Sequence, residues 1–223
     1  MAGGNAAKES RGQHRREAEI EFNPDRREAQ VEFNRIVAFS DGVFAIAITL
    51  LVLNLEITND VDLSSALIKD SNNFVAYGIS FAVLGRFWLA HHSFFAEVER
   101  FSHGLMVLNL FYLAWVALVP FASGVLGDFS GTTAAVAVYA IILAALSLSE
   151  ELLGTYSARA GLMTKAGASR QQSGGLIHRF LIPATFLLAI PVALFTPDNA
   201  AFVWLLVFPV SMYLNRRRRF LPI

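Results

Sequence analysis

The chain of 223 residues contains no cysteine, which excludes disulfide bonds, thiol catalysis and cysteine-ligated metal. Charged residues are also scarce: they make up 16% of the chain, against about 25% in an average soluble domain. The 18 basic residues balance the 18 acidic ones, so the net charge gives no reason to expect nucleic acid as a partner. Hydrophobic residues account for 55% of the chain, and this composition indicates a membrane protein.

The N-terminal region is polar and charged, and it lacks the apolar core of a secretory signal peptide. An internal span then has to act as the insertion signal. We expect three regions: a polar N-terminal segment (residues 1–30), a six-span transmembrane domain (residues 31–215) and a basic cytoplasmic tail (residues 216–223).

Six segments are apolar enough to cross a bilayer, which requires a helix of about 20 mostly apolar residues. The second and sixth segments are the shortest. The fifth contains Pro183 and Pro191, which membrane helices tolerate when neighbouring groups satisfy the freed carbonyls. The predicted fold is an all-α integral membrane protein with six transmembrane helices, at residues 36–55, 74–91, 104–126, 132–153, 176–195 and 199–214.

The basic residues of the connections alternate along the chain. The connections after the first, third and fifth spans are poor in them, whereas the connection after the fourth span and the C-terminal tail are rich. Cytoplasmic loops carry the excess of basic residues in membrane proteins. We therefore expect both termini in the cytoplasm and the protein in the cytoplasmic membrane. The residues that set this orientation are Arg159, Lys165, Arg170, Arg179 and Arg216 to Arg219.

The first span has two different faces when it is drawn as a helix that turns about 100° per residue. Four bulky apolar side chains lie within about 60° of one another. We call this set the apolar ridge, and the hydroxyl of Thr49 lies at its edge. Ser40 and Asp41 lie away from the ridge, about 120° and 140° from Ile46. The apolar ridge consists of Phe39, Ile46, Leu50 and Leu53.

Asp41 lies six residues, or about 9 Å, further into the helix than Arg35, and a carboxylate among lipid tails needs a partner inside the protein. We expect Asp41 to be held by Trp88 and by one of two adjacent histidines. Asn109 or Arg86 is a further candidate partner. This arrangement would leave the ridge facing lipid, another helix of the chain or a pore formed by several copies. We call the polar set the polar belt: Ser40, Asp41, Arg86, Trp88, His91, His92 and Asn109.

Residues 35–41 read RIVAFSD, and they match an RxxxFSD signature through Arg35, Phe39, Ser40 and Asp41. The continuation GVFAIAITLLVL, the stretch WLAHH (residues 88–92) and Asn109 extend the match. On these residues the chain resembles bacterial members of the transmembrane-protein-175 potassium channel family. The resemblance covers the whole chain in the number of spans and in topology.

This resemblance implies one six-span repeat per chain and a homotetramer around a pore that the first helices line. Animal members carry two such repeats and lie in endolysosomal membranes. Apolar side chains, in place of a carbonyl filter, form the constriction, or hydrophobic gate, of the family. Matched by position, Ile46 would form the main constriction, Leu50 and Leu53 would line the pore beyond it, and Thr49 would favour potassium.

The implied function is a potassium channel that is not an enzyme and needs no cofactor or resident metal. Its partners would be further copies of the chain, membrane lipids and monovalent cations, with potassium as the permeant ion. Because apolar groups cannot replace hydration water, selectivity over sodium should be modest and conductance low. Arg35, Ser40 and Asp41 would serve assembly and helix orientation.

A proton-coupled transporter, or a proton-permeable channel, is the main alternative, because intramembrane titratable groups can form a relay. For the two adjacent glutamates we prefer pairing with Arg159 or Arg179. The residues available to a relay are Asp41, His91, His92, Glu150 and Glu151.

Two other chemistries fit the sequence less well. A conventional potassium channel carries a TVGYG-type carbonyl filter in a re-entrant loop, whereas this chain has only AYGIS (residues 76–80), inside a predicted span. An intramembrane metalloenzyme would have to use His91 and His92 with Glu97. Adjacent histidines point about 100° apart on a helix, unlike the i, i+4 pair of the HExxH motif.

Overall fold

The computed structural model describes residues 24–56, 62–172, 175–210 and 212–213, and the regular elements within these ranges are helices. The predicted basic tail (216–223) and most of the predicted N-terminal segment (1–30) lie outside them. The chain divides after Ala38 into two compact units. In the first unit Arg35 forms an exposed ion pair with Glu32, with 2.9 Å between Nη1 and Oε1.

Eleven elements follow one another along the described ranges. The first helix continues directly into a 3₁₀ turn, and a second 3₁₀ turn follows the last helix. In chain order they are α1 (Pro24–Leu50), a 3₁₀ turn (Leu51–Asn54), α2 (Leu63–Lys69), α3 (Ser71–Phe95), α4 (His103–Asp128), α5 (Thr133–Arg159), α6 (Lys165–Gln172), α7 (Gly175–Leu187), α8 (Ala189–Ala193), α9 (Pro197–Ala200) and a 3₁₀ turn (Ala201–Leu206).

Four helical segments are long and apolar enough to cross a membrane, and they confirm the first four predicted spans as apolar helices. Each has 25 to 27 residues and so measures about 40 Å, which exceeds the hydrocarbon core of about 30 Å. The segments are Gln30–Asn54, Ser71–Phe95, His103–Asp128 and Thr133–Arg159.

The last two predicted spans form shorter apolar helices, Arg179–Ala193 and Ala201–Val210. The first of these is interrupted between α7 and α8, at Leu188. Pro191 lacks an N–H and its ring clashes with the carbonyl four residues earlier, that of Leu187. The interruption therefore follows from the proline, and the count of six spans stays a prediction.

Side-chain caps explain where several helices begin. Ser102 Oγ accepts from Leu105 N at 3.2 Å at the start of α4, and Thr132 Oγ1 accepts from Ala135 N at 3.3 Å at the start of α5. These bonds satisfy donors that have no partner within the helix. After α5, Gly161 adopts a φ of +64°, a left-handed conformation that favours glycine and stops the helix.

A buried polar cluster joins α3, α4 and α5 in the core. Ser80 Oγ lies 2.9 Å from Ser123 Oγ and 2.8 Å from the Tyr139 hydroxyl, and all three side chains are buried. Trp204 packs on Tyr139 and donates its indole N–H to Phe186 O at 3.0 Å. The C-terminal helices are thereby attached to the same core.

The connections between helices meet at opposite ends of the second unit. At one end, the segment between α3 and α4 contacts the one between α5 and α6, since Glu99 and Arg100 donate their N–H groups to Leu162 O. At the other end, the start of α3 contacts the connection between α4 and α5, where Asn72 Nδ2 donates to Ser130 Oγ at 2.6 Å. This grouping agrees with the alternation of basic and base-poor connections, and which end faces the cytoplasm stays a prediction.

Candidate functional site

The second unit begins with the part of α1 that carries the candidate pore residues, and one face of this segment packs into the core. The helix turns this face toward α3 and α4. Its side chains recur at intervals of three or four residues, as an amphipathic packing face requires. They are at most 2% exposed: Ser40, Phe44, Ala47 and Leu51.

The apolar ridge lies on the opposite side and is uncovered. Phe39, Ile46, Leu50 and Leu53 are 54%, 60%, 41% and 68% exposed, and Thr49 is exposed beside them. Among the described residues, no helix of the same chain covers the ridge, and within this part of the chain the ridge is open to lipid or to further copies of the chain. The first span is also the least covered of the four, with 22% of its apolar window buried against 39% to 50% for the others.

Thr49 is the one hydroxyl at the edge of this surface. It donates to the carbonyl oxygen of Ile46 at 2.8 Å, one turn earlier on the same helix. The hydroxyl proton is thus satisfied within α1, while the oxygen keeps lone pairs that can accept a bond or approach a cation.

The 3₁₀ turn extends the ridge in a straight line. Side chains three residues apart eclipse one another in a 3₁₀ helix, so Leu53 follows Leu50 on the exposed side, and Asn54 follows Leu51 on the buried side. The burial agrees with this geometry, because Leu51 is fully buried and Leu53 is the most exposed side chain of the ridge.

The polar belt consists of separate pairs and triads. Asp41 accepts a hydrogen bond from Trp88, with 3.0 Å between Nε1 and Oδ1. His92 packs on the Trp88 indole, with ring centroids 5.7 Å apart. This bond between Trp88 and Asp41 agrees with the sequence-based expectation.

The second part of the belt is a buried triad of Ser40, His91 and Asn109. Asn109 Nδ2 donates to Ser40 Oγ at 2.9 Å, and Asn109 Oδ1 lies 2.9 Å from His91 Nε2. Because the Asn109 oxygen can only accept, the proton of this second bond is on His91 Nε2. The three side chains are at most 3% exposed, and the His91 ring packs against the rings of Phe44 and Tyr112.

The expectation that a histidine holds Asp41 is wrong in this structure. His91 bonds Asn109, which reaches Ser40 and leaves Asp41 to Trp88. Ser40 and Asp41 are adjacent and point about 100° apart on the helix. Ser40 therefore enters the core, while Asp41 lies at its edge.

Arg86 was expected to bond within the polar belt, but its partner lies outside this set. Its Nη1 lies 2.7 Å from Glu150 Oε2 on α5, and the two side chains are 12% and 25% exposed. The expected pairing of Glu150 with Arg159 or Arg179 is therefore wrong. Arg86 and Glu150 each lie nine residues before the end of their helix, and these ends are on the same side. Arg86 and Glu150 therefore lie at equal depth along their helices, and this equal depth is the sequence feature that could have predicted their pairing.

Two further ion pairs lie toward the same ends of the helices as the pair of Arg86 and Glu150. Glu151 Oε1 lies 3.3 Å from Arg179 Nε, which agrees with the preferred pairing, and Glu97 Oε1 accepts from Arg170 Nη2 at 2.7 Å. These groups, together with Arg86, Glu150 and His91, line a crevice of about 1150 Å³. Because the carboxylates and guanidiniums balance, the crevice carries no net charge from these pairs.

The two disfavoured chemistries gain no support from the described residues. Glu97 is bonded to Arg170 and Thr164, and the described residues contain no group of three or more histidines and carboxylates that could hold a metal ion. Residues 76–80 lie within α3, where their carbonyls belong to the helix and not to a re-entrant loop.

Long apolar helices, partly buried ion pairs among them and an uncovered apolar ridge define an integral membrane protein of several spans. The family model described as endosomal/lysosomal potassium channel TMEM175 matches residues 35–120, the region that holds the ridge and the belt. A Streptomyces collinus protein named as a potassium channel is 38% identical over 134 residues, which are 57% of this chain and 65% of the relative.

A potassium channel of Chamaesiphon minutus is 32% identical over 195 residues, which are 82% of this chain and 93% of the relative. The crystal structure of a lysosomal potassium-selective channel TMEM175 homolog from that organism superposes with a TM-score of 0.68 at 30% identity, covering 83% of this chain and 99% of the homolog. The endosomal/lysosomal proton channel TMEM175 of Bos taurus is 39% identical over 99 residues, which are 40% of this chain and 21% of that protein. The chain therefore belongs to the TMEM175 family.

Proposed function

We propose that the protein is a potassium channel in which several copies of the chain surround a pore lined by the apolar ridge. The observation that carries this proposal is the exposure of α1. Of the four long apolar helices, the first has the smallest buried share of its apolar window. The same helix carries the RxxxFSD residues, 35–41. A helix that its own chain leaves uncovered needs lipid or further copies of the chain around it.

The belt supports the pore over lipid as the environment of the ridge. Trp88 holds Asp41, and Asn109 holds Ser40, so two independent bonds fix the rotation of α1 against α3 and α4. Such bonds specify one orientation, which a helix surrounded only by lipid on that side does not require. Ser40, Asp41, Trp88, His91, His92 and Asn109 thus act in helix orientation and assembly, and Arg35 of the signature is expected to act with them.

We further infer a homotetramer with six spans per chain and both termini in the cytoplasm. The alternation of basic and base-poor connections supports the orientation of the termini, and the homotetramer and the six spans are what the resemblance to the family implies. Potassium would pass, partly dehydrated, through a narrow ring of Ile46 side chains, with Leu50 and Leu53 beyond it. Hydrophobic constrictions act as gates by excluding water, and the oxygen of Thr49 would assist the ion near the narrowest point.

The test is potassium flux into liposomes that contain the purified protein, with a proton ionophore present and with sodium replacing potassium in parallel. Ile46→Asn should wet the constriction, raise the flux and weaken the preference for potassium. Ile141→Asn is the matched control, because Ile141 is a 55% exposed isoleucine on α5, against 60% for Ile46. Equal flux in the two variants would show that Ile46 does not line the bottleneck.

Proton permeation is the second candidate, because the animal relative is named as a proton channel and the belt contains Asp41 and His91. The hydrogen bonds weigh against a relay between these two residues. Asp41 accepts its hydrogen bond from the Trp88 indole, which donates a proton but cannot accept one. His91 bonds Asn109, which in turn bonds Ser40, so the hydrogen bonds of His91 do not lead to Asp41. Flux that requires a proton gradient would favour this candidate.

A further inference from the structure

The end of α1 is held by a contact that neither the ridge nor the belt explains. Asn54, the last residue of the 3₁₀ turn, donates its Nδ2 hydrogen to Pro120 O on α4 at 3.0 Å. The next residue, Leu55, is already extended, with φ −95° and ψ 97°. This bond is therefore the last polar attachment of the first span before the chain leaves the helix.

The partner segment of α4 is shaped to receive this amide. Pro120 has no N–H, so α4 lacks one internal hydrogen bond here and can bend more easily than a regular helix. Four residues later, a Cβ placed on Gly124 would lie 3.0 Å from Asn54 Oδ1 and 3.3 Å from its Cγ. Glycine thus leaves the space that the Asn54 side chain occupies.

We propose that Asn54 is a positioning residue for ion permeation, whose bond to Pro120 holds the 3₁₀ turn and so sets the direction of Leu53 on the apolar ridge. The inference rests on the proposed function, because the direction of Leu53 matters to permeation only if the ridge lines the pore. The Leu53 side chain has no polar atoms and takes no part in the bond between Asn54 and Pro120. Asn54 therefore acts on Leu53 through the backbone of the 3₁₀ turn.

The geometry gives the size of the effect. A 3₁₀ helix turns about 120° and rises about 2.0 Å per residue, against about 100° and 1.5 Å in an α-helix. If the turn reverted to α-helical geometry over the three residues after Leu50, Leu53 would rotate by about 60° and move back by about 1.5 Å. Leu50 and Ile46, which lie within α1, would stay in place.

The absence of cysteine from the chain makes this direction measurable. Leu53→Cys and, separately, Ile46→Cys are introduced, and the rate of modification by a charged methanethiosulfonate reagent is measured in liposomes. Each is combined with Asn54→Asp, which keeps the size but loses the donor, and with Gly124→Ala, whose Cβ crowds the Asn54 amide. Gly78→Ala is the matched control, because a Cβ at Gly78 meets nothing within 4 Å.

We expect both perturbations to change the rate at Leu53→Cys by about threefold, as for an equilibrium that loses one hydrogen bond between membrane helices, and to leave the rate at Ile46→Cys unchanged. The ratio of potassium to sodium flux should change in the same two backgrounds without the cysteines. Gly78→Ala should change neither measurement.

An unchanged rate at Leu53→Cys in both backgrounds would overturn the positioning role. A changed rate with an unchanged ratio of potassium to sodium flux would overturn its connection to permeation. The modification rate requires no ion flux, so failure of this inference is distinct from failure of the Ile46→Asn test of the pore.

Discussion

The structure allows an estimate of how much the buried triad of Ser40, His91 and Asn109 contributes to the free energy of unfolding. The triad attaches the first span to the other helices. Asn109 is 1% exposed and bonds both other residues, each at 2.9 Å. Asn109→Leu keeps the approximate volume and removes both bonds. The His91 N–H then loses its acceptor beside the rings of Phe44 and Tyr112.

Two magnitudes decide the expected cost. Hydrogen bonds between membrane helices contribute about 0.6 kcal/mol on average and about 1.7 kcal/mol at most. A buried donor left without a partner costs a further 1–3 kcal/mol, roughly. We therefore expect Asn109→Leu to lower the free energy of unfolding by about 2–4 kcal/mol, and Ser40→Ala, which strands only one Asn109 hydrogen, by about 1–2 kcal/mol.

The assay is reversible unfolding of the purified protein in mixed micelles with rising dodecyl sulfate, followed by circular dichroism. The double variant Ser40→Ala/Asn109→Leu completes a mutant cycle, whose coupling should be about 0.6–1.7 kcal/mol. Ser93→Ala is the control, because its hydroxyl bonds the Leu89 carbonyl within its own helix and is exposed. Additivity of Ser40→Ala and Asn109→Leu within about 0.3 kcal/mol would refute the triad.

Two further predictions concern stability in the same assay. Arg86→Met leaves Glu150 unpaired and should cost about 2–3 kcal/mol, less than for a fully buried pair because the carboxylate is a quarter exposed. Arg86→Met/Glu150→Leu should recover most of this loss, and a double variant as unstable as the single one would contradict the explanation. Gly104→Ala should destabilise by about 1–2 kcal/mol because its Cβ overlaps Tyr156. Gly78→Ala, at an open position, should be neutral or stabilising by up to about 1 kcal/mol, and equal effects of the two substitutions would show that the overlap does not matter.

The sequence was sufficient for features that depend on neighbouring residues along one helix. The first four apolar helices follow from hydropathy and length, and the grouping of Ile46, Leu50 and Leu53 on one face follows from the helical repeat. The exposure of that face is a finding of the structure. The bond between Asp41 and Trp88 was also predicted, because both residues were expected near the same end of adjacent spans.

Other features required the tertiary structure. The pairing of His91 with Asn109, of Arg86 with Glu150 and of Asn54 with the Pro120 carbonyl depends on which helices are neighbours and how each is rotated. Several polar groups lie at similar depth, and hydropathy does not distinguish between them. The interruption between α7 and α8 was also not predicted, although Pro191 accounts for it.

The sequence alone therefore determined the helical character of the chain, the apolar ridge and the alternation of its connections, because these are periodic or compositional properties of consecutive residues. The tertiary structure decided the partners of the buried polar groups. A hydrogen bond between two helices depends on their relative rotation and depth to within about an ångström, and a one-dimensional pattern does not specify either quantity.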